Sequence, residues 1–180
     1  FSEELETYLE IPSDNVSFDL RPWMKSADIT DAVIEAAQSG KYDFIRCNFP
    51  NGDMVGHTGS MAATIVAVES VDLGLARLVK AADELGFILV ITADHGNADE
   101  MYEIDKKTGA PKANKDGSFK AKTSHTLNPV PFIIYDNFTA DKYTVKLGRE
   151  DFGLSAVAAT TVNMLGYEAP AIWDESMIEL

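Results

Sequence analysis

An α/β fold built on a mostly parallel sheet is predicted by three features of the sequence. Tyr42–Phe49 is a short run rich in β-formers, bounded by Gly40 and Pro50. From about Ser60 to Leu85, apolar residues step by three and four, and Gly86 closes the run as a helix stop. Phe87–Thr92 is continuously apolar, the pattern of a strand buried on both faces of a parallel sheet. Tyr42 to Ala93 therefore reads as a strand–helix–strand crossover, right-handed by the general rule.

The other elements follow in order. Residues 1–27 are mixed and polar and read as a connector, with a turn at Pro12-Ser13-Asp14-Asn15 and an alternating stretch, Val16 to Leu20, that suits a strand. Ser26 or Asp28 can cap a first helix carrying Ile29, Val33, Ile34 and Ala37 and ending at Ser39-Gly40. Pro50–Gly59 reads as a loop. On the long helix, Val68, Val71, Leu75, Leu78, Ala82 and Leu85 mark the expected buried face. Residues 99–123 form a polar excursion expected to be a hairpin with its tip near Asp116-Gly117. Its lysines lack aromatic or apolar interleaving, so a solvated loop is expected over a phosphate-binding patch. Val130–Tyr135 reads as a strand. Gly153–Leu165 reads as a last helix with Leu154, Val157, Ala158, Thr161 and Leu165 on one side and Gly166 as its stop.

The chain has 180 residues, 46% hydrophobic and 24% charged, which suits one globular domain. Its 29 acidic against 15 basic residues leave a net charge of −14, which argues against nucleic-acid binding. An anionic substrate would need positive charge from elsewhere, and metal ions can supply it. The single cysteine, Cys47, cannot close an internal disulfide; it is expected to be a small core residue in a reducing compartment, the cytoplasm. No apolar stretch approaches the length of a membrane span, and no membrane partner is expected. The chain opens on Phe1 rather than Met, as expected of a piece of a longer protein.

All three histidines fall in three short stretches: Asp53-Met54-Val55-Gly56-His57, Asp94-His95 and Ser124-His125-Thr126. Imidazole and carboxylate donors together suit Mn²⁺, Zn²⁺, Fe²⁺ or Co²⁺. The first two stretches each follow a predicted strand, at the sheet edge where α/β proteins bind ligands, and His125 precedes another strand and can reach that edge. Read singly, each has an ordinary structural explanation: an aspartate caps a turn, a histidine is satisfied in a loop. Gly52, Gly56, Gly59 and Gly96 permit close backbone approach or simply make turns. The hydroxyls of Thr58, Thr123, Ser124 and Thr126 have no evident neighbouring base, so no nucleophile is expected among them.

The stretches from Asn48-Phe49-Pro50-Asn51-Gly52-Asp53 to Gly59, from Thr92-Ala93-Asp94-His95-Gly96-Asn97 to Asp99, and from Thr123-Ser124-His125-Thr126 to Pro131 resemble, in the same order, the C-terminal part of cofactor-independent phosphoglycerate mutases. The resemblance implies an alkaline phosphatase-like three-layer α/β/α sandwich, present here as a partial domain. It implies interconversion of 3-phosphoglycerate and 2-phosphoglycerate through a phosphoserine, with two divalent metal ions, Mn²⁺ foremost and Mg²⁺, Co²⁺ or Zn²⁺ as alternatives. By motif, Asp53, His57 and His125 match the ligands of one metal; Asp94 and His95 match part of the other set. The nucleophilic serine, a further metal-binding aspartate and the inserted domain whose arginines hold substrate have no counterpart in residues 1–180. The whole is thus expected to be the C-terminal metal-binding portion of a phosphatase domain, with no catalytic nucleophile of its own and with a monomeric parent. Another superfamily phosphomutase, phosphatase or sulfatase is the nearest alternative, and a non-catalytic metal-binding or interaction module is the alternative from a different class.

Overall fold

The computed structural model describes residues 2–149 and 152–180. Four α-helices carry most of its order: α1 (Ser26–Gln38), α2 (Asn51–Gly56), α3 (Met61–Leu85) and α4 (Ala156–Met164). Four short strands accompany them: β1 (Leu89–Thr92), β2 (Phe132–Tyr135), β3 (Thr144–Val145) and β4 (Ile178–Glu179). Val16–Leu20 is not a strand. Phe18–Leu20 forms a 3-10 turn, with Leu20 N–H donating to Ser17 O. Among the described residues no helix is long and apolar enough to cross a membrane.

The spine is α3. Ser60 caps its N-terminus by accepting from Ala63 N–H, and Gly86 ends it in the left-handed region at φ 77°. Its buried row is Ala63, Thr64, Ala67, Gly74, Leu78, Ala81 and Ala82. Leu78 and Ala82 lie where expected, but Val68 (49% exposed) and Leu85 (43%) face outward. The reason is steric: small residues let neighbouring helices approach closely, so the small side of α3 faces the packed layer. Gly74 shows this best, since a Cβ there would come 2.7 Å from Thr30 Oγ1 of α1. Thr30 is itself fully buried and donates to Ser26 O. Val55 of α2 packs with Ala63 and Ala67 into a small core that also takes Phe18 and Met24. The last helix repeats the pattern, burying Ala156, Ala159 and Thr160 while Leu154 and Leu165 of the expected face are exposed.

The sheet differs from expectation. β1 pairs antiparallel with β2, in the register Leu89↔Tyr135 to Thr92↔Phe132. No parallel pair occurs among the described residues. Tyr42–Phe49 belongs to no strand, and Cys47 within it is exposed rather than core. A strand exists only through ladder bonds to a neighbour, and this run finds none among the described residues. The chain exposes 12465 Å², where a compact protein of 19.6 kDa would expose about 8,600 Å².

The excursion has two tips, not one. Glu103 N–H donates to Lys120 O, Lys120 N–H to Lys112 O and Lys112 N–H to Glu103 O, a closed ring of backbone bonds from which two turns emerge. The Glu103 carboxylate sits at the junction and pairs with both Lys112 (3.1 Å) and Lys120 (2.7 Å). Gly109 and Gly117, at φ 71° and 85°, make the two tips.

Loops 93–99 and 123–128 are joined to each other. Thr126 N–H donates to Gly96 O (2.8 Å), and the Asp99 carboxylate accepts from Thr126 Oγ1 (2.9 Å) and Asn128 Nδ2 (2.5 Å). Partial burial alone would raise the Asp99 carboxyl, but the bonds from Asn128 and Thr126 outweigh it and hold it below the ordinary range.

Two outcomes are expected. Gly74→Val should wedge α1 from α3 and destabilise the chain by about 1–3 kcal/mol in urea unfolding; unchanged stability would refute the close-approach account. A carboxyl with a depressed folded pKa stabilises above its unfolded value of ~3.9 and loses that contribution as pH falls through the folded value. The urea midpoint of the parent should therefore exceed that of Asp99→Asn at pH 6, with the gap closing as pH falls below about 4.

Candidate metal centre

Asp53 and His57 stand on one face because α2 is helical where a loop was expected. Met54 N–H bonds to Pro50 O and His57 N–H to Asp53 O, so residues four apart stack one turn above another. Pro50 suits the helix start, where its missing N–H costs nothing. Gly59, at φ 73°, turns the chain away; a Cβ there would meet Ala121 Cβ at 2.9 Å. Its absence lets residues 121–123 pass close by, and His57 Nδ1 donates to Thr123 O at 2.6 Å. A carbonyl can only accept, so the Nδ1 proton is fixed and the Nε2 lone pair of a neutral ring points the other way.

Three atoms meet there. Asp53 Oδ1, His57 Nε2 and His125 Nε2 form a triangle with all three sides 3.1 Å. With both rings neutral, His57 has spent its proton on Thr123, so at most one proton, on His125, is available to the triangle. Three contacts cannot all be hydrogen bonds on one proton. Three converging donors of mixed oxygen and nitrogen type do fit a divalent cation: adjacent ligands of an octahedral ion at ~2.1 Å stand about 3 Å apart. The side chains are 31% (Asp53), 39% (His57) and 49% (His125) exposed, so the site is open to solvent on one side.

Of the five residues singled out in sequence, Asp53, His57 and His125 come together. His95 stands beside them, its ring stacked on His125 with centroids 3.7 Å apart and its Nδ1 4.0 Å from Asp53 Oδ1. Asp94 is 86% exposed, with Oδ1 3.7 Å from His95 Nε2. These two complete no cluster of three donors among the described residues. Sequence reasoning missed the supports. Thr123 acts through its backbone carbonyl, which no side-chain pattern reveals. Asn97 donates to Asp53 Oδ1 at 2.7 Å; its place next to Asp94-His95-Gly96 was the one available signal.

A profile described as the Metalloenzyme superfamily matches residues 1–169. The chain is 49% identical, over 99% of its own length and 32% of the relative's, to a 2,3-bisphosphoglycerate-independent phosphoglycerate mutase of Trypanosoma brucei brucei. It is 44% identical to a probable enzyme of the same description from Arabidopsis thaliana, over 100% of this chain and 32% of that one. Among solved structures it matches Leishmania mexicana phosphoglycerate mutase, studied at low cobalt concentration, with TM-score 0.95 and 46% identity over 99% of this chain and 32% of that chain. The chain thus spans about a third of the length of these relatives and adopts the α/β fold of the corresponding third of the mutase. With its motifs, its donor triangle and nearly its whole length in agreement, the chain belongs to the Metalloenzyme superfamily.

Proposed function

We propose that these residues are the C-terminal metal-holding portion of the phosphatase domain of a 2,3-bisphosphoglycerate-independent phosphoglycerate mutase, acting in the interconversion of 3-phosphoglycerate and 2-phosphoglycerate. The observation that carries this reading is the 3.1 Å triangle of Asp53, His57 and His125 in a chain 49% identical to such a mutase. The surface excess supports the domain assignment: Tyr42 and Phe44 lie exposed, and among the described residues β1 is paired on one edge only. In this reading the rest of a monomeric, cytoplasmic mutase supplies the phosphorylated serine and the substrate-holding arginines.

Asp53, His57 and His125 hold one divalent ion, Mn²⁺ foremost, with Mg²⁺, Co²⁺ or Zn²⁺ as alternatives. Asp94 and His95 contribute to a second, whose remaining ligands come from outside these residues. When bound, the ions lend positive charge to phosphoryl oxygens and to the attacking oxygen. The chain's own residues prepare that role. Thr123 O keeps the His57 lone pair aimed at the triangle. The stack of His95 on His125 holds the two rings face to face. The open side leaves room for a phosphate to approach, and in a chain of net charge −14 the cations offset the repulsion such a substrate would otherwise meet. The hydroxyls nearby are engaged elsewhere: Thr58 donates to Val55 O and Thr126 to Asp99.

Titration calorimetry of the 180-residue chain with Mn²⁺ should show one site, lost in His57→Ala and kept in Asp94→Ala; no binding, or binding indifferent to His57→Ala, would refute the assignment. Freed of host enzyme, the chain alone should give no 2-phosphoglycerate in an enolase-coupled assay. Measurable turnover would place the nucleophile within these residues and overturn the division of labour.

A further inference from the structure

We infer that Asn97 is a positioning residue for the ligand Asp53, and that position 56 is kept free of a side chain to seat it. The inference rests on the metal reading above and assigns roles to two residues that do not themselves face the ion.

Asn97 is 4% exposed. Among the described residues, both side-chain hydrogen bonds of its amide nitrogen go to Asp53: one to Oδ1 at 2.7 Å, one to the backbone carbonyl at 3.3 Å. Gripping both oxygens fixes the side chain of Asp53 relative to its own backbone. The amide orientation follows from chemistry, because the flipped form would set Asn97 Oδ1 against a carboxylate oxygen. In the observed orientation Asn97 Oδ1 is buried with no partner among the described residues. Such an orphan acceptor is a cost that native proteins seldom carry without cause.

The cause lies in the triangle. Asp53 Oδ1 is held 3.1 Å from two imidazole nitrogens, of which His57 Nε2 presents a lone pair. A carboxylate free to turn about its single bonds would swing away from that lone pair until a cation arrived. Asn97 keeps the oxygen in place beforehand, so binding does not have to reorder it. Gly56 completes the device. It is helical and lacks the positive φ that would require glycine, yet a Cβ there would overlap Asn97 Oδ1 and lie 3.0 Å from its Cγ. Alanine at 56 suits the helix and displaces only the end of Asn97, the grip on Asp53.

The test is Mn²⁺ titration calorimetry on the parent chain, Asn97→Leu, Gly56→Ala, their double variant and His57→Ala, with metal-free melting followed by circular dichroism. Asn97→Leu should weaken Mn²⁺ binding roughly tenfold to a hundredfold. Gly56→Ala should weaken it in the same direction although Asn97 is still present. The double variant should bind about as Asn97→Leu does, since both changes remove one interaction. Affinity within about threefold of the parent in Asn97→Leu or in Gly56→Ala overturns the inference, even where melting temperature falls, because a purely structural role moves melting alone. If Asn97→Leu does not fold, Gly56→Ala decides alone. A parent that binds no Mn²⁺, or a His57→Ala variant that binds it as well as the parent, refutes the metal reading itself, an outcome distinct from failure of the positioning role.

Discussion

The bond from Thr126 N–H to Gly96 O is the constraint on which the centre depends. The three donors come from α2 and from a loop 68 residues further along the chain. His57 and Asp53 are placed by one helical turn, but nothing local brings His125 to them. The junction of loops 93–99 and 123–128 does so together with the bond from His57 Nδ1 to Thr123 O, and the Asp99 carboxylate locks it on Thr126 and Asn128. Gly96 is part of the same lock, because a Cβ there would overlap Thr126 Oγ1. Individually these are ordinary hydrogen bonds of modest net worth. Their effect is geometric, since a ligand set must be held to a fraction of an ångström before an ion can use it.

Around that lock the molecule is a one-sided structure. α3 turns its small residues toward α1 and α2, where Gly74 meets Thr30 and Ala63 and Ala67 meet Val55. Its other side carries Ile65, Val66, Val68 and Leu73 outward. Apolar area of that kind, together with an unpaired run at residues 42–49, goes beyond the scattered exposed side chains normal on a finished surface. The candidate metal centre sits on the part that is well supported, which is why its geometry closes while the sheet does not.

Much of this was legible in sequence. Helix boundaries came out well where capping chemistry is local: Ser60 and Gly86 bound α3, and Gly166 follows α4, at φ 85°. The candidate donor positions stand out in the sequence because it has only three histidines and each has a distinctive neighbourhood. The differences have separate physical causes. The buried faces of α3 and α4 were assigned by hydrophobicity, whereas the structure selected them by size. The strand at Tyr42–Phe49 and the parallel pairing of β1 were assigned by composition, whereas strands are defined by partners. The helix α2 was read as a loop because Pro50, Gly52, Gly56 and Gly59 are all turn residues, yet a proline start and helical φ at Gly56 make a short helix.

By itself the sequence determined the identity of the donors, the α/β class and the kinship with metalloenzymes, because those reside in residue types and local spacing. The tertiary structure alone decided that the donors form an equilateral triangle, that a backbone carbonyl of Thr123 sets the tautomer of His57, and that Asn97 lies against Asp53 over a bare Gly56. Those facts depend on contacts between positions 41 to 72 residues apart, and the geometry of such contacts is set by how closely two backbones approach, which side-chain pattern along one chain does not encode.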